Sequence, residues 1–459
     1  MEVEIISEEY IKPSSPTPYH LRNHKFSLLD LYAPTTYYPL ILYYTLDQDA
    51  NHSPADIDHN VNIRLHLLKQ SLSETLSLVY PFAGKLKDFD SIECNDEGIY
   101  FVRGQVKGAL KEFLNQPDTV LAAKFVPHGG KAISTESSEN YVTGVQVTTF
   151  ACGGIVIGVR VSHSIADGTT LISFLKSWAR TAHKNTEDAI RPKFDAVSLF
   201  PPNDAYPRQV CSSVVLTSYM KFDNFITRRF VFDASAIANL KAKAKCSWVQ
   251  NPTRVEAVTA LLTKCIMTAL KVRSGSTDDR PFLLSHAVNL RRKATLPFSE
   301  YQMGNFVWRA CALCKDKEAE LPGLVSQLRE AITKLNGDFV SSLQGDSGLL
   351  KFIEAVKYER ETFTGAADSI GFTSWCNFGF YDIDFGWGKP AWASFCDAAE
   401  LTYFRNLIVL MDTRVGNDIE AWVYLGEEDM ARLQLDRELL EFASIDPSPL
   451  KQANLVSNG

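Results

Sequence analysis

His163-Ser164-Ile165-Ala166-Asp167-Gly168 combines an imidazole, a carboxylate four residues later and a glycine that permits a sharp exit. Imidazole is the side chain whose ordinary pKa lies nearest neutrality, so His163 is suited to taking a proton from a poor nucleophile. The run before it, Gly154-Ile155-Val156-Ile157-Gly158-Val159-Arg160-Val161, is β-branched and almost wholly apolar, as a sheet-core strand is. After it, Leu171, Phe174, Leu175 and Trp178 recur at helical spacing. The motif is therefore expected at a strand-to-helix joint, where two rigid elements aim the ring. The hexapeptide alone leaves open a histidine that only caps a strand end and bonds to backbone.

The elements that must position this ring belong to a chain of 459 residues, too long for one ordinary core. At roughly 150 residues per domain, two or three domains are expected. Hydrophobic content of 45% and aromatic content of 11% describe a packed globular protein. A net charge of -7 without a basic block argues against nucleic acid as a partner. No apolar run approaches the roughly 18 residues that span a bilayer, and no secretory or lipidation signal is read at either end. The nine cysteines are an odd, scattered set, which suits reduced thiols in the cytosol. Cys311 and Cys314 form a lone C-x-x-C expected to line a strand, so no metal is assigned.

Leu65, Leu68, Leu72, Leu76 and Val79 make one apolar stripe, predicting a helix over about 60–79 that Tyr80-Pro81-Phe82-Ala83-Gly84 ends. Strands are expected at 91–94, 99–103, 142–150 and 154–162. From about 185 to 223 no period is sustained and prolines stand at 192, 201, 202 and 207. So long a stretch suits a connection between domains. The expected division is 1–190, a crossover linker at 191–223, and 224–459. In the second half Arg228–Phe232 reads as a strand. Thr253-Arg254-Val255-Glu256 reads as a capping box opening a helix to about 270. Further strands are expected at 283–290, 306–313 and 407–411, with a turn entering a strand over 416–422 and a last helix over 427–442. Both halves mix α and β, which suits two similar domains meeting at a cleft.

A second signature, Asp384-Phe385-Gly386-Trp387-Gly388, follows Thr373-Ser374-Trp375-Cys376 in the second half. Paired in this order with His163 to Gly168, it resembles the signature pair of the plant BAHD acyl-CoA-dependent acyltransferases. Tyr80 to Gly84, Asn289-Leu290-Arg291, Gly304-Asn305, and Pro16-Thr17-Pro18 followed by Leu28-Leu29-Asp30 match the same family, so the resemblance covers nearly the whole chain. The branch it resembles holds alkaloid O-acetyltransferases, benzyl alcohol acetyltransferases and acylsugar acyltransferases. An Asp-Phe-Gly tripeptide also occurs in protein kinases, but the chain has no G-x-G-x-x-G loop, V-A-I-K strand or H-R-D loop. Chloramphenicol acetyltransferase-type and condensation-type domains usually carry a second histidine where Ser162 stands.

The resemblance implies two chloramphenicol acetyltransferase-like domains, each a mixed sheet flanked by helices, with the active-site channel between them. A segment near Asp384 would cross back to the first sheet. It implies that His163 acts as catalytic base in a ternary complex without an acyl-enzyme. Asp167 would complete the catalytic motif while pointing away from substrate to pair with Arg291. Thr373 and Trp375 would donate to the oxyanion. Asp384, Gly386, Trp387 and Gly388 would give structural support without direct chemistry. Thr253, at a helix N-terminus, is the candidate for coenzyme A phosphate. The implied co-substrate is acetyl-CoA or another acyl-CoA, and the implied acceptor a hydroxylated specialised metabolite, with an alkaloid first. Other donors and acceptors of the family (acylsugar, volatile alcohol, amine, malonyl or aromatic acyl-CoA) and a catalytically silent binding scaffold are the alternatives. A cytosolic monomer with no membrane partner is expected.

Overall fold

The computed structural model describes residues 1–46, 53–87, 90–128, 141–184, 191–203, 225–274, 281–295, 298–315, 319–366, 368–396 and 406–450. Two large mixed sheets organise it. The apolar run ending at the histidine forms strand Ile155–Ser162, buried at all eight positions. It lies between Thr143–Phe150 and Tyr37–Tyr44, antiparallel to both. The full order of this first sheet is Glu4–Ile11, Ile99–Val106, Thr143–Phe150, Ile155–Ser162, Tyr37–Tyr44 and Trp392–Ser394.

The last of these strands comes from the second half of the chain. Trp392, Ala393 and Ser394 pair antiparallel with Tyr43, Leu42 and Ile41, so a segment beyond Asp384 does cross back. Pro39 lies outside this three-residue pairing, so its missing N–H interrupts no ladder bond on that side.

The second sheet runs Val307–Cys314, Phe282–Asn289, Ser369–Ser374, Leu407–Asp412, Ile419–Gly426, Phe225–Phe232 and Ser444–Ile445. Its second, third and fourth strands, Phe282–Asn289, Ser369–Ser374 and Leu407–Asp412, are parallel. A small third sheet joins Asn23–Lys25, Lys85–Lys87 and Ser91–Glu93.

Two helices differ from the sequence expectation. The first spans Pro54–Leu76 and starts earlier, because Ser53 and Asp56 form a capping box ahead of a first-turn proline. That polar opening carries no apolar stripe, so periodicity could not show it. The terminal helix is two, Glu427–Leu433 and Arg437–Phe442. Asp436 breaks it by turning its carboxylate onto the Leu439 N–H at 2.9 Å, which caps a new helix.

Helix Pro54–Leu76 packs against helix Gly168–Ala182, where the Trp178 indole donates to the Leu68 carbonyl and the Ser71 hydroxyl, both at 3.1 Å. Each sheet has its own apolar core. Residues cross over, however: Val409, Met411, Trp422 and Tyr424 of the second sheet belong to the first core. Leu28, Leu29 and Tyr32 of the first half belong to the second. Of the segment expected as a linker, 204–223 lie outside the described residues. In the described part Ala196–Leu199 is a helical turn, and Lys193 bridges to Gln302.

Candidate active site

A cavity between the sheets is bordered by His163, Asp167, Gly168 and Thr169 from the first half and by Asn305, Arg309, Thr373 and Trp375 from the second. Counted out through its mouth it holds about 1440 Å3 of empty space. Apolar side chains such as Leu29, Phe372, Leu407 and Val409 make most of its wall.

His163 sits one residue beyond its strand, its backbone N–H donating to the Thr36 carbonyl at 2.8 Å. The ring is half-buried, edge-on to Tyr38 at 5.1 Å between centroids. Its Nδ1 lies 3.1 Å from Asn305 Oδ1. The orientation of that amide follows from its surroundings. Asn305 Nδ2 faces three acceptors: Asp30 Oδ1 at 3.0 Å, the His163 carbonyl at 2.9 Å and the Ser164 carbonyl at 3.4 Å. Only the NH2 side can donate there, so Oδ1 faces the ring and accepts from Nδ1–H. Nε2 is then the basic nitrogen. Asp30 is itself anchored by the Asn305 N–H at 2.7 Å and the Ser27 hydroxyl at 2.7 Å. Gly304-Asn305 figured in the sequence only as a match to family pattern. A residue 142 positions from His163 gives no spacing signal of this contact.

Asp167 does not touch the ring's Nδ1, since Asn305 occupies it. Its carboxylate grips Arg291 with both oxygens, at 2.6 and 3.2 Å, and both side chains are almost fully buried. It also caps helix Gly168–Ala182 through the Thr170 N–H at 2.8 Å and accepts the Phe306 N–H at 3.0 Å. Burial alone would raise its pKa. The Arg291 charge and these hydrogen bonds outweigh burial and hold it below the usual carboxylate value. Arg291 donates further to the carbonyls of Gln302 at 2.8 Å and Gly304 at 3.1 Å. The pair thus fixes both the helix start behind His163 and the loop that delivers Asn305.

Thr373 is the penultimate residue of strand Ser369–Ser374 and borders the cavity, half-buried. Trp375 follows, its backbone N–H held by the Leu410 carbonyl at 2.7 Å and its ring edge-on to Tyr38 at 5.6 Å. Tyr38 therefore carries both His163 and Trp375 on one ring. Neither the Thr373 hydroxyl nor the Trp375 indole N–H has a hydrogen-bond partner among the described residues.

Residues 384–388 stand off from the cavity lining. Asp384 Oδ1 accepts the N–H groups of Gly386 at 2.7 Å and Gly388 at 2.9 Å. Phe385 packs on Trp178 at 4.9 Å and Arg64 lies over the Trp387 ring at 5.4 Å. Thr253 is the cap of helix Arg254–Ser274: its hydroxyl accepts the Glu256 N–H at 3.1 Å, and its own N–H donates to Glu256 at 2.8 Å. A separate groove beside it is bordered by Lys241, Lys245 and Arg254. Cys311 and Cys314 lie three apart on one strand, so their side chains face opposite ways. Among the described residues no three His, Cys, Asp or Glu are grouped to hold a metal, and no helix is long and apolar enough to cross a membrane.

Two sheet-rich domains with a histidine at the cavity between them suit an acyl-CoA-dependent O-acyltransferase, and the comparisons with known proteins show that class. Residues 1–440 match the model of the Transferase family, and the chain belongs to it, among the plant BAHD acyltransferases. It is 55% identical to epi-neemfruitin B 7-O-acetyltransferase of Melia azedarach, over 98% of this chain and 100% of the relative. It is 54% identical to limonoid 7-O-acetyltransferase of Citrus sinensis over the same shares. Among solved structures it is similar to crystalline vinorine synthase, with a TM-score of 0.79, 33% identity, and coverage of 96% of this chain and 99% of that one.

Proposed function

We propose that the protein transfers an acetyl group from acetyl-CoA to a hydroxyl of a neutral polycyclic acceptor of the limonoid type, by direct attack on the thioester. His163 Nε2 takes the acceptor's hydroxyl proton as its oxygen attacks the carbonyl. The tetrahedral oxyanion receives hydrogen bonds from the Thr373 hydroxyl and the Trp375 indole N–H. When it collapses, the C–S bond breaks and the leaving thiolate takes the proton back from Nε2. General-base action of this kind is worth roughly 10²- to 10⁴-fold, and one oxyanion donor about 2.7–4 kcal/mol.

The observation that carries this mechanism is the Asp30–Asn305–His163 chain. It sets the tautomer and leaves Nε2 basic, using an amide as orienter where other enzymes use a carboxylate. Asp167 acts at one remove, bracing the loop through Arg291, and Asp384 braces the crossing segment. The coenzyme enters from the side opposite the acceptor, with its phosphates along the groove of Lys241, Lys245 and Arg254 next to Thr253. The division into 1–190, a connecting segment 191–223 and 224–459 is retained as part of this reading. Eight described cysteines are free thiols, which suits a reducing compartment such as the cytosol.

Two facts favour a limonoid-type acceptor over the alkaloid that the branch resemblance put first. The relatives at 54–55% identity carry limonoid names. The ionisable groups bordering the cavity are His163, Asp167 and Arg309 with the tyrosine hydroxyls among the described residues, and Asp167 is committed to Arg291. No uncommitted carboxylate is there to receive an ammonium group. The test is acetyl transfer from isotope-labelled acetyl-CoA to a limonoid with a free 7-hydroxyl and, separately, to a hydroxylated alkaloid. The limonoid should gain one labelled acetyl group. Labelling of the alkaloid alone would overturn the acceptor assignment.

A further inference from the structure

Tyr38 touches both the base and the indole read as an oxyanion donor, yet takes no part in the steps above. It is the second residue of strand Tyr37–Tyr44 and stands opposite Val161 on the strand that leads to His163. Its hydroxyl donates to the Ala166 carbonyl at 3.0 Å, within the loop from His163 to Asp167. Burial, and then the nearby Asp167 charge, raise its pKa well above the ordinary phenol value. The phenol therefore keeps its proton at neutral pH, and the bond to the loop persists. The residue is 7% exposed and borders the cavity.

The His163 ring meets that of Tyr38 at 5.1 Å and 64°, and the Trp375 ring meets it at 5.6 Å and 86°. Asn305 settles which nitrogen of His163 is basic. Packing against Tyr38 also sets the tilt of the imidazole. Trp375 is held on its other sides by Phe380, stacked at 5.6 Å, and by Phe395, edge-on at 4.9 Å. Its indole rests on the first turn of helix Gly168–Ala182. A Cβ on Gly168 would come within 2.7 Å of Phe378 and 3.3 Å of Trp375 Nε1, so glycine admits this packing. The indole nitrogen thus lies beside the motif that carries His163. An apolar side chain of similar volume would fill the space under both rings, but nothing would key it to the loop. Proton transfer and oxyanion donation act around one carbon, and a displacement of about 1 Å can lower the rate on the order of 10²-fold.

We propose that Tyr38 is a positioning residue that fixes the separation of His163 from Trp375, its ring packed against both and its hydroxyl keyed to the Ala166 carbonyl. This rests on Trp375 as the oxyanion donor proposed above and deepens that reading.

The test is a double-mutant cycle on the full-length enzyme, with acetyl-CoA and a limonoid bearing a free 7-hydroxyl. Its corners are wild type, Tyr38→Leu, Trp375→Phe (a ring without the N–H) and the double variant. Tyr38→Leu should lower kcat roughly ten- to a hundredfold, with KM for both substrates within about threefold of wild type. Trp375→Phe should lower kcat roughly 10²-fold or more. Residues that act as a unit are not additive, so kcat of the double variant should be at least about fivefold higher than the two single losses multiplied together predict. If Tyr38→Leu does not fold, Tyr38→Phe takes its place in the cycle. It keeps the ring and loses the tie to Ala166, so kcat should fall by roughly two- to fivefold, and that loss should vanish beside Trp375→Phe. In either cycle, losses that simply multiply, or a Tyr38 variant with wild-type kcat, overturn the inference and leave the oxyanion reading standing. Wild-type kcat in Trp375→Phe overturns both.

Discussion

At the scale of single residues, the site separates two jobs that one carboxylate does in a Ser-His-Asp triad. Asn305 orients the ring, and Asp167 is spent on Arg291. The pKa of Asp167 gives this division a pH signature. Its folded value is depressed below the ordinary carboxylate value of about 3.9, so the stability it contributes is present above that value and lost as pH falls through the folded one. Asp167→Asn leaves Arg291 buried without its counter-ion and should cost about 3–5 kcal/mol near neutrality. Denaturant unfolding should show that gap constant from about pH 7 to 4 and narrowing below. A gap independent of pH would contradict the ion-pair account.

At the scale of elements, the turn at 384–388 works as a staple. Gly386 and Gly388 have φ of +104° and +105°, where a side chain is strained, and one carboxylate oxygen of Asp384 collects both their N–H groups. The turn seats Phe385 against Trp178 and leads into the three-residue strand that crosses between sheets. Asp384→Ala should lower stability by about 1–3 kcal/mol. Turnover should survive at temperatures where the variant stays folded. Activity lost with an unchanged melting temperature would give Asp384 a direct chemical role instead.

The elements also divide into those legible in the sequence and those that are not. Strand Ile155–Ser162 was legible because its β-branched run is buried on both faces. The capping box at Thr253 and Glu256 was legible because its chemistry is local. The start at Pro54 and the break at Asp436 are set by caps in polar stretches, which periodicity does not register. Trp392–Ser394 is a strand only because Ile41 to Tyr43 offer an edge some 350 residues earlier.

At the scale of the whole molecule, the same limit holds for the site. His163 and Asp167 announce themselves by spacing within six residues. Asn305 acquires meaning only when the second half folds against the first, since Asp30 orients it across 275 positions. The proposed base, His163, comes from one half and the amide that orients it from the other. In the proposed mechanism catalysis requires the two halves to be docked, and apolar residues shared between the cores join them.

The most direct test of this account is the turnover of wild type and His163→Ala with saturating acetyl-CoA and a limonoid bearing a free 7-hydroxyl, followed by coenzyme A thiol release. The account predicts that kcat falls by roughly 10²- to 10⁴-fold while KM for acetyl-CoA stays the same. Thiol release at the wild-type rate from the folded variant would contradict it.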